Sequence, residues 1–338
     1  MSKSDSSLDL YFGPRGTVGS DPEFFFIRDG EVVPSAEVLP ENSRNVARDG
    51  FQGELHPAPS GCRVSAGSFL ARAIFNARGY AREVGAELSF EPGHIISDEV
   101  WKKASPEMKR FGCNPTLSAQ EKNPHRVTGL RERFRAGAGH IHLGNTMLRT
   151  NRTDQELAER FVKTLDIVAG NTLVLIDRDP LNAVRRKNYG RAGEYRLKSY
   201  GLEYRVPSNF WLKHYALWSF ASQLCRNAMA IVEQNRDKEL MSMISMKDVK
   251  KAINNNDYEL ALKNFDILSE FLTINRATGN GLGTERLVST RKWLTSDEPL
   301  KFCNTMGKTY ESWERKMVGG ARGFERMIDN NLYHDDTV

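Results

Sequence analysis

Four short segments of this chain carry ionisable side chains two residues apart, with apolar or small residues between them. Asp21 and Glu23 flank Pro22, and Glu54 and His56 flank Leu55. His140 and His142 flank Ile141, and Glu203 and Arg205 flank Tyr204. Successive side chains of a β-strand point to opposite faces, so the members of each pair share a face. The pattern calls for extended segments in a sheet with one polar face. A merely solvated face gives the same alternation, but such faces are rich in Lys, Ser and Thr, whereas these positions hold carboxylates and imidazoles. They also stand beside glycine and proline, in Ser20-Asp21-Pro22, Gln52-Gly53-Glu54 and Gly137-Ala138-Gly139. Those residues let backbone approach a ligand closely. The four pairs therefore point to a shared metal and phosphate site.

The rest of the chain supplies a frame for such a sheet. Strands are predicted over 21–27, 52–56, 140–143 and 202–206, with Asp29-Gly30 as a hairpin turn before Glu31-Val32-Val33. A helix is predicted from Ser65, with Leu70, Ile74, Ala77, Ala81 and Val84 on one face. A second begins at the capping box Thr153-Asp154-Gln155-Glu156 and buries Leu157, Phe161, Leu165 and Val168. A third carries Ala261, Phe265, Leu268 and Leu272 after the turn cluster Asn254–Asp257. From Trp211 onward the pattern is almost purely helical. The expected organisation is a flexible tail over 1–16, an α+β catalytic core over 17–210 and a helical region over 211–338 that packs on or caps the core.

Composition excludes several classes. Of 338 residues, 39% are hydrophobic and 27% charged, which rules out a collagenous, coiled-coil or wholly disordered chain. The longest apolar run, Thr172–Ile176, is far short of the roughly 20 residues of a membrane-spanning helix. The start MSKSDSSLDL lacks the pattern of a signal peptide. Cys62, Cys113, Cys225 and Cys303 form no C-x-x-C pair, so reduced thiols and a cytoplasmic location are expected.

The formal net charge is +5. Residues 185–198, RRKNYGRAGEYRLK, hold Arg185, Arg186, Lys187, Arg191, Arg196 and Lys198 against Glu194, which equals the whole surplus. The breaks at Gly190 and Gly193, with Tyr189 and Tyr195, suggest a ligand-facing loop. Arginine forks suit phosphate and carboxylate oxygens. Nucleic acid is a possible but disfavoured partner, because basic residues are not in surplus elsewhere. Several carboxylates with one or two imidazoles favour Mg²⁺ or Mn²⁺ over structural zinc. A barrel-type zinc hydrolase would need more histidines on later strands, and only His214 and His334 follow. The nucleotide loops hinted at by Gly307-Lys308-Thr309 and Gly137-Ala138-Gly139 are incomplete, with Phe302 and His142 where glycines belong, and Gly279–Gly283 lacks a preceding strand.

Taken in order, these segments resemble the glutamine synthetase and glutamate–cysteine ligase superfamily, and within it the phage-encoded carboxylate–amine ligase group, type 2. The resemblance runs from about Gly19 to Asn209. Ser20-Asp21-Pro22-Glu23 followed by three phenylalanines is similar to the first catalytic strand of glutamine synthetase. Gln52-Gly53-Glu54 resembles a strand supplying another metal-binding glutamate. Gly139-His140-Ile141-His142 resembles the Gly-x-His-x-His segment, and Glu203-Tyr204-Arg205-Val206-Pro207 the Glu-x-Arg-x-Pro strand. The resemblance implies a glutamine-synthetase-like fold with a curved, mainly antiparallel sheet flanked by helices. It implies two divalent metals on Asp21, Glu23, Glu54, His140 and Glu203. Catalytic roles fall to Glu23, Glu54, His140, Glu203 and Arg205. ATP contacts fall to His142, Arg185, Arg186, Arg191, Arg196 and Lys198.

The implied activity is ATP-dependent joining of a small-molecule or peptide carboxylate to an amine through an acyl phosphate. Only about 16 residues precede the first catalytic strand, so the small N-terminal domain of glutamine synthetase has no counterpart here, and neither do its loops for glutamate and ammonia. The competing readings are a guanidino-kinase-like phosphotransferase on the same fold, a basic nucleic-acid-binding protein, and a ligase-derived structural protein. The complete set of acidic and imidazole positions argues against the last.

Overall fold

The computed structural model describes residues 16–109, 117–121, 133–150, 154–274, 284–301 and 306–316. Its strands are β1 (Gly16–Ser20), β2 (Glu23–Arg28), β3 (Glu31–Val33), β4 (Val46–Asp49), β5 (Gln52–Leu55), β6 (Glu87–Ser89), β7 (Gly93–Ile95), β8 (Leu117–Ser118), β9 (Phe134–Ala136), β10 (Ile141–Asn145), β11 (Glu194–Lys198) and β12 (Gly201–Tyr204). One five-stranded sheet has the order β1-β10-β12-β11-β8. A second has the order β3-β2-β5-β4, with β6 also paired to β2, and β7 and β9 form a small ribbon. Every pairing is antiparallel. The α+β class and the curled antiparallel sheet agree with expectation.

The turn chemistry follows the sequence. Asp29 and Gly30 both have positive φ and close the β2–β3 hairpin. The Arg63–Glu83 helix buries Leu70, Ile74, Ala77 and Ala81, as its spacing requires. The second helix runs Gln155–Leu165, and its cap is Asp154, whose carboxylate accepts from the Leu157 N–H. The cap thus falls one residue after the predicted Thr153, and with Leu157 as the third helical residue the cap is a single bond and not a box; Thr153 lies outside the described residues. That helix continues through a π-helical turn, Asp166–Gly170, packed under Tyr204. The third predicted helix is Tyr258–Ile274, and Asn256 in the left-handed conformation ends the helix before it. The helical part begins slightly earlier than expected, with a short 3₁₀ turn over Asn209–Lys213, and further helical turns lie upstream at Leu181–Asn188. Gly307-Lys308-Thr309 lies in a helix, and residues 302–305 before it lie outside the described residues. Cys62 and Cys225 are free thiols; Cys113, Cys303, the 1–15 tail and the Gly279–Gly283 loop lie outside the described residues. Among the described residues no helix is long and apolar enough to cross a membrane.

The two sheets meet at a seam built from backbone. β1 ends at Ser20 in one sheet and β2 starts at Glu23 in the other, so Asp21-Pro22 is the crossing. The Glu23 N–H donates to the Ala138 carbonyl, Leu55 N–H to Pro22, and Gly139 N–H to Pro207. The Asn209 amide donates to the Glu23 carbonyl and the Trp211 indole to that of Gly139. The glycines here make room for protein rather than for a ligand. A Cβ on Gly139 would lie 2.0 Å from the Ser208 carbonyl oxygen, and one on Gly53 would lie 2.5 Å from the Phe24 ring. Gly139→Ala is therefore expected to cost about 1–3 kcal/mol in denaturant unfolding. An unchanged midpoint would mean that the seam is looser than these contacts require.

Candidate functional site

Cross-strand register explains why distant residues share one face. Gly19, His142, Glu203 and Arg196 lie in one row across β1, β10, β12 and β11. Asp21, His140 and Arg205 sit one residue beyond strand ends, not within strands, and bend back toward that row. The Asp21 carboxylate receives both histidines: His140 Nδ1 lies 3.0 Å and His142 Nε2 2.9 Å from the same oxygen. His140 Nδ1 is also 3.6 Å from Glu203. Glu203 is fully buried, with Arg205 at 2.7 Å, Lys198 at 2.8 Å and Arg196 at 3.7 Å. Burial pushes Asp21 and Glu203 up, but the surrounding imidazole and cationic groups win and hold both carboxyls below the usual range. Burial lowers His140, with Asp21 and Glu203 opposing the shift, and a neutral imidazole can donate to one neighbour while accepting from another.

A second carboxylate group adjoins the first across the seam. Glu23 is opposite Glu54 on β2 and β5, and Glu54 forms an ion pair with His56 at 3.3 Å. Glu23 is buried and accepts from the Gln52 amide at 2.7 Å and the Ala138 N–H at 3.1 Å. Burial first, then Asp49 and Glu54, push it well above the usual range. Burial, with Asp21 adding, raises Glu54, and His56 only partly offsets this. Asp49 is raised to about 6 by burial and Glu54.

Asp49 was not legible as a site residue. It ends β4, and Asp49-Gly50 carries the same hairpin signal as Asp29-Gly30. Read in the same way, that signal puts Asp49 in the turn. In the structure Gly50-Phe51 is the loop, Asp49 pairs with Gln52 and Ala47 with Glu54, and this register puts the Asp49 carboxylate diagonal to Glu54. A carboxyl raised in the folded state is less costly while protonated. Its penalty therefore develops as pH rises from about 3.8 to about 6 and stays constant above. Asp49→Asn should show little advantage over the parent at the acid end of that window. It should gain up to about 3 kcal/mol at the alkaline end in metal-free unfolding curves. A difference independent of pH would refute the crowding.

The basic run divides. Arg185 and Arg186 lie on the Leu181–Asn188 helix, not in a ligand-facing loop, and both are buried. Arg185 donates to the carbonyls of Val206 at 3.0 Å and Pro207 at 2.8 Å. Arg186 neighbours Asp177 and Asp166 in the interior; burial, and then Arg185, lower it to about 10. Arg191 pairs with Glu121 at 3.1 Å. Only Arg196 and Lys198, on β11, approach the carboxylate centre with part of their surface exposed. Burial of Arg185 and Arg186 counts against the ATP contacts expected of them, whereas Arg191, like Lys198, is partly exposed and paired with one carboxylate.

Two tyrosines complete the centre. The Tyr189 hydroxyl shares a hydrogen bond with His140 Nε2 and accepts one from Arg205 Nη2. The Tyr200 hydroxyl lies 2.6 Å from His142 Nδ1, with its ring stacked on the imidazole.

The donor chemistry fits a hard divalent cation. One ligand atom each from Asp21, His140 and Glu203 lie within 4.8 Å of one another, and oxygen donors with one imidazole suit Mg²⁺ or Mn²⁺. The Glu23, Asp49 and Glu54 carboxyls are raised because burial and mutual repulsion outweigh the positive charge near them.

Fold and site together define an α+β protein with a carboxylate–imidazole centre edged by cations. Residues 128–275 match the family described as Phage phiEco32-like COOH.NH2 ligase-type 2. The match supports a ligase joining a carboxylate to an amine. It contains His140, His142, Glu203, Arg205, Arg196 and Lys198, and it extends past Asn209 into the helices. No curated protein matches the chain.

Proposed function

We propose that the protein is an ATP-dependent carboxylate–amine ligase of glutamine-synthetase-like fold, working through an acyl phosphate at a two-metal site. The observation that carries this reading is the convergence of Asp21, His140 and Glu203 beside Arg205, Arg196 and Lys198. A substrate carboxylate must attack the γ-phosphorus of ATP although both are anionic. Bound divalent ions would supply charge neutralisation and orient the phosphate oxygens. Asp21, His140 and Glu203 would hold one ion, and Glu23, Glu54 and Asp49 the other.

Arg196 and Lys198, partly exposed, are placed to receive phosphoryl oxygens. The buried Arg205 holds Glu203 and Tyr189 rather than facing solvent. Attack forms the acyl phosphate and releases ADP. The amine nitrogen then attacks the carbonyl carbon, loses one proton and expels phosphate, so each turnover yields amide, ADP, phosphate and a proton.

The test is a mass-spectrometric screen with ATP, Mg²⁺ and pooled carboxylates and amines, including peptides, polyamines and modified nucleosides. Products lighter by one water than their summed parts, formed with ADP, support the ligase. A phosphorylated product without an amide would make it a phosphotransferase.

A further inference from the structure

The Tyr189 hydroxyl joins two halves of the centre. Arg205 Nη1 donates to Glu203, and its Nη2 donates to the Tyr189 oxygen. The same oxygen meets His140 Nε2, while His140 Nδ1 faces Asp21 and Glu203. His140, Tyr189, Arg205 and Glu203 thus form a closed ring of contacts. Arginine has no acceptor, so one lone pair of Tyr189 is always given to Arg205. Toward His140 the same oxygen can serve either as O–H donor or as acceptor, and the imidazole nitrogen can take either role.

These two uses correspond to two states of His140. When Nδ1 carries the hydrogen, it donates to Asp21 and the Tyr189 O–H donates to Nε2. A cation held by Asp21 and Glu203 requires the Nδ1 lone pair, so the hydrogen must be on Nε2 and donate to the Tyr189 oxygen. We propose that Tyr189 is the positioning residue that lets His140 turn its Nδ1 lone pair toward a divalent cation shared with Asp21 and Glu203. The imidazole stays neutral throughout. One hydrogen leaves Nδ1, one arrives at Nε2, and the tyrosine hydrogen rotates off the ring. A carbonyl or a lysine in this place could serve only one of the two states, and phenylalanine neither.

The inference rests on the metal-site reading, and the experiment separates the two. Protein with ¹⁵N-labelled imidazoles is titrated with Mg²⁺, and long-range ¹H–¹⁵N spectra report which nitrogen of His140 is protonated. The His140 signals are assigned by their loss in His140→Gln. The parent is expected to move from Nδ1-protonated to Nε2-protonated as Mg²⁺ binds. In Tyr189→Phe the Mg²⁺ affinity should fall about 10- to 100-fold. Tyr195→Phe, which removes another buried tyrosine hydroxyl, should leave it unchanged.

Parental affinity in Tyr189→Phe, with a folded protein, overturns the role of Tyr189 alone. So does an equal loss in Tyr195→Phe, which would make the effect one of packing. If Tyr189→Phe does not fold, the parent spectra decide, since Mg²⁺ binding with Nδ1 still protonated overturns the inference. A parent that binds no Mg²⁺ removes the metal reading and this inference with it.

Discussion

Glu23→Gln is expected to raise the melting temperature of the metal-free protein and to remove Mg²⁺-dependent ADP formation. The two effects have one cause. Glu23 is buried opposite Glu54 and within electrostatic reach of Asp49, and all three carboxyls are raised. At neutral pH the folded state carries this repulsion and the unfolded chain does not. A glutamine oxygen can accept the bonds from Gln52 and Ala138 that now go to a single carboxylate oxygen, so the substitution relieves charge without leaving a donor unpaired. Each kcal/mol relieved corresponds to about 2 °C in a chain of this size. The same change lowers the negative charge available to a cation, and a loss of at least about 10²-fold in ADP formation is expected. Thermal melts with and without Mg²⁺ read both sides. The parent should gain stability from Mg²⁺ and the variant should gain little. A variant that melts below the parent without metal would show that Glu23 is balanced by the protein itself, and the second cation position would go with it. Sites that hold charges apart until a ligand arrives trade stability for function in this way.

The sequence made the polar faces legible because strand alternation has a period of two, and a carboxylate or imidazole at that spacing stands out. It did not reveal where strands end. Asp21, His56, His140 and Arg205 fall one residue outside them, at the crossing between sheets, and the spacing rule reads the same on either side of a strand end. Register is likewise non-local: nothing in the chain says that His142, Glu203 and Arg196 lie in one row. Helix cores at Leu70–Ala81 and Ala261–Leu268 were legible from amphipathic spacing alone. Asp49 was hidden because an Asp-Gly pair is a turn signal first, and its carboxylate acquires meaning only through Glu54 and Glu23. Tyr189 was visible only as an aromatic interrupting a basic run; His140 and Arg205, which its hydroxyl meets, stand just before β10 and just after β12.

Arg185→Ala is expected to destabilise the fold by about 3–5 kcal/mol, the largest stability effect anticipated for any member of the basic run. The guanidinium is fully buried and donates to two consecutive carbonyls, of Val206 and Pro207, as the chain leaves β12. Alanine removes a donor from both buried carbonyls, leaving Pro207 only the Gly139 N–H, and opens a cavity the size of the lost side chain. Gly190, at φ +71°, lies so close that a Cβ there would stand 2.2 Å from Arg185 Nη1, so the surrounding backbone is shaped to this one side chain. The damage should spread, because Pro207 accepts the Gly139 N–H that fixes the approach to His140. Arg196→Ala gives the contrast. Its ion pair with Glu203 is long and its side chain partly exposed, so unfolding should shift by less than about 1 kcal/mol. The apparent affinity for ATP should fall about tenfold for one lost charge-assisted contact. Denaturant unfolding and ATP titration on the same two variants separate the roles. Were Arg185→Ala stable and weak only for ATP, the guanidinium would face phosphate, as a run of arginines broken by glycines suggests on its own. Burial decides otherwise, because an arginine that has given its fork to two carbonyls has no second fork to offer a phosphate.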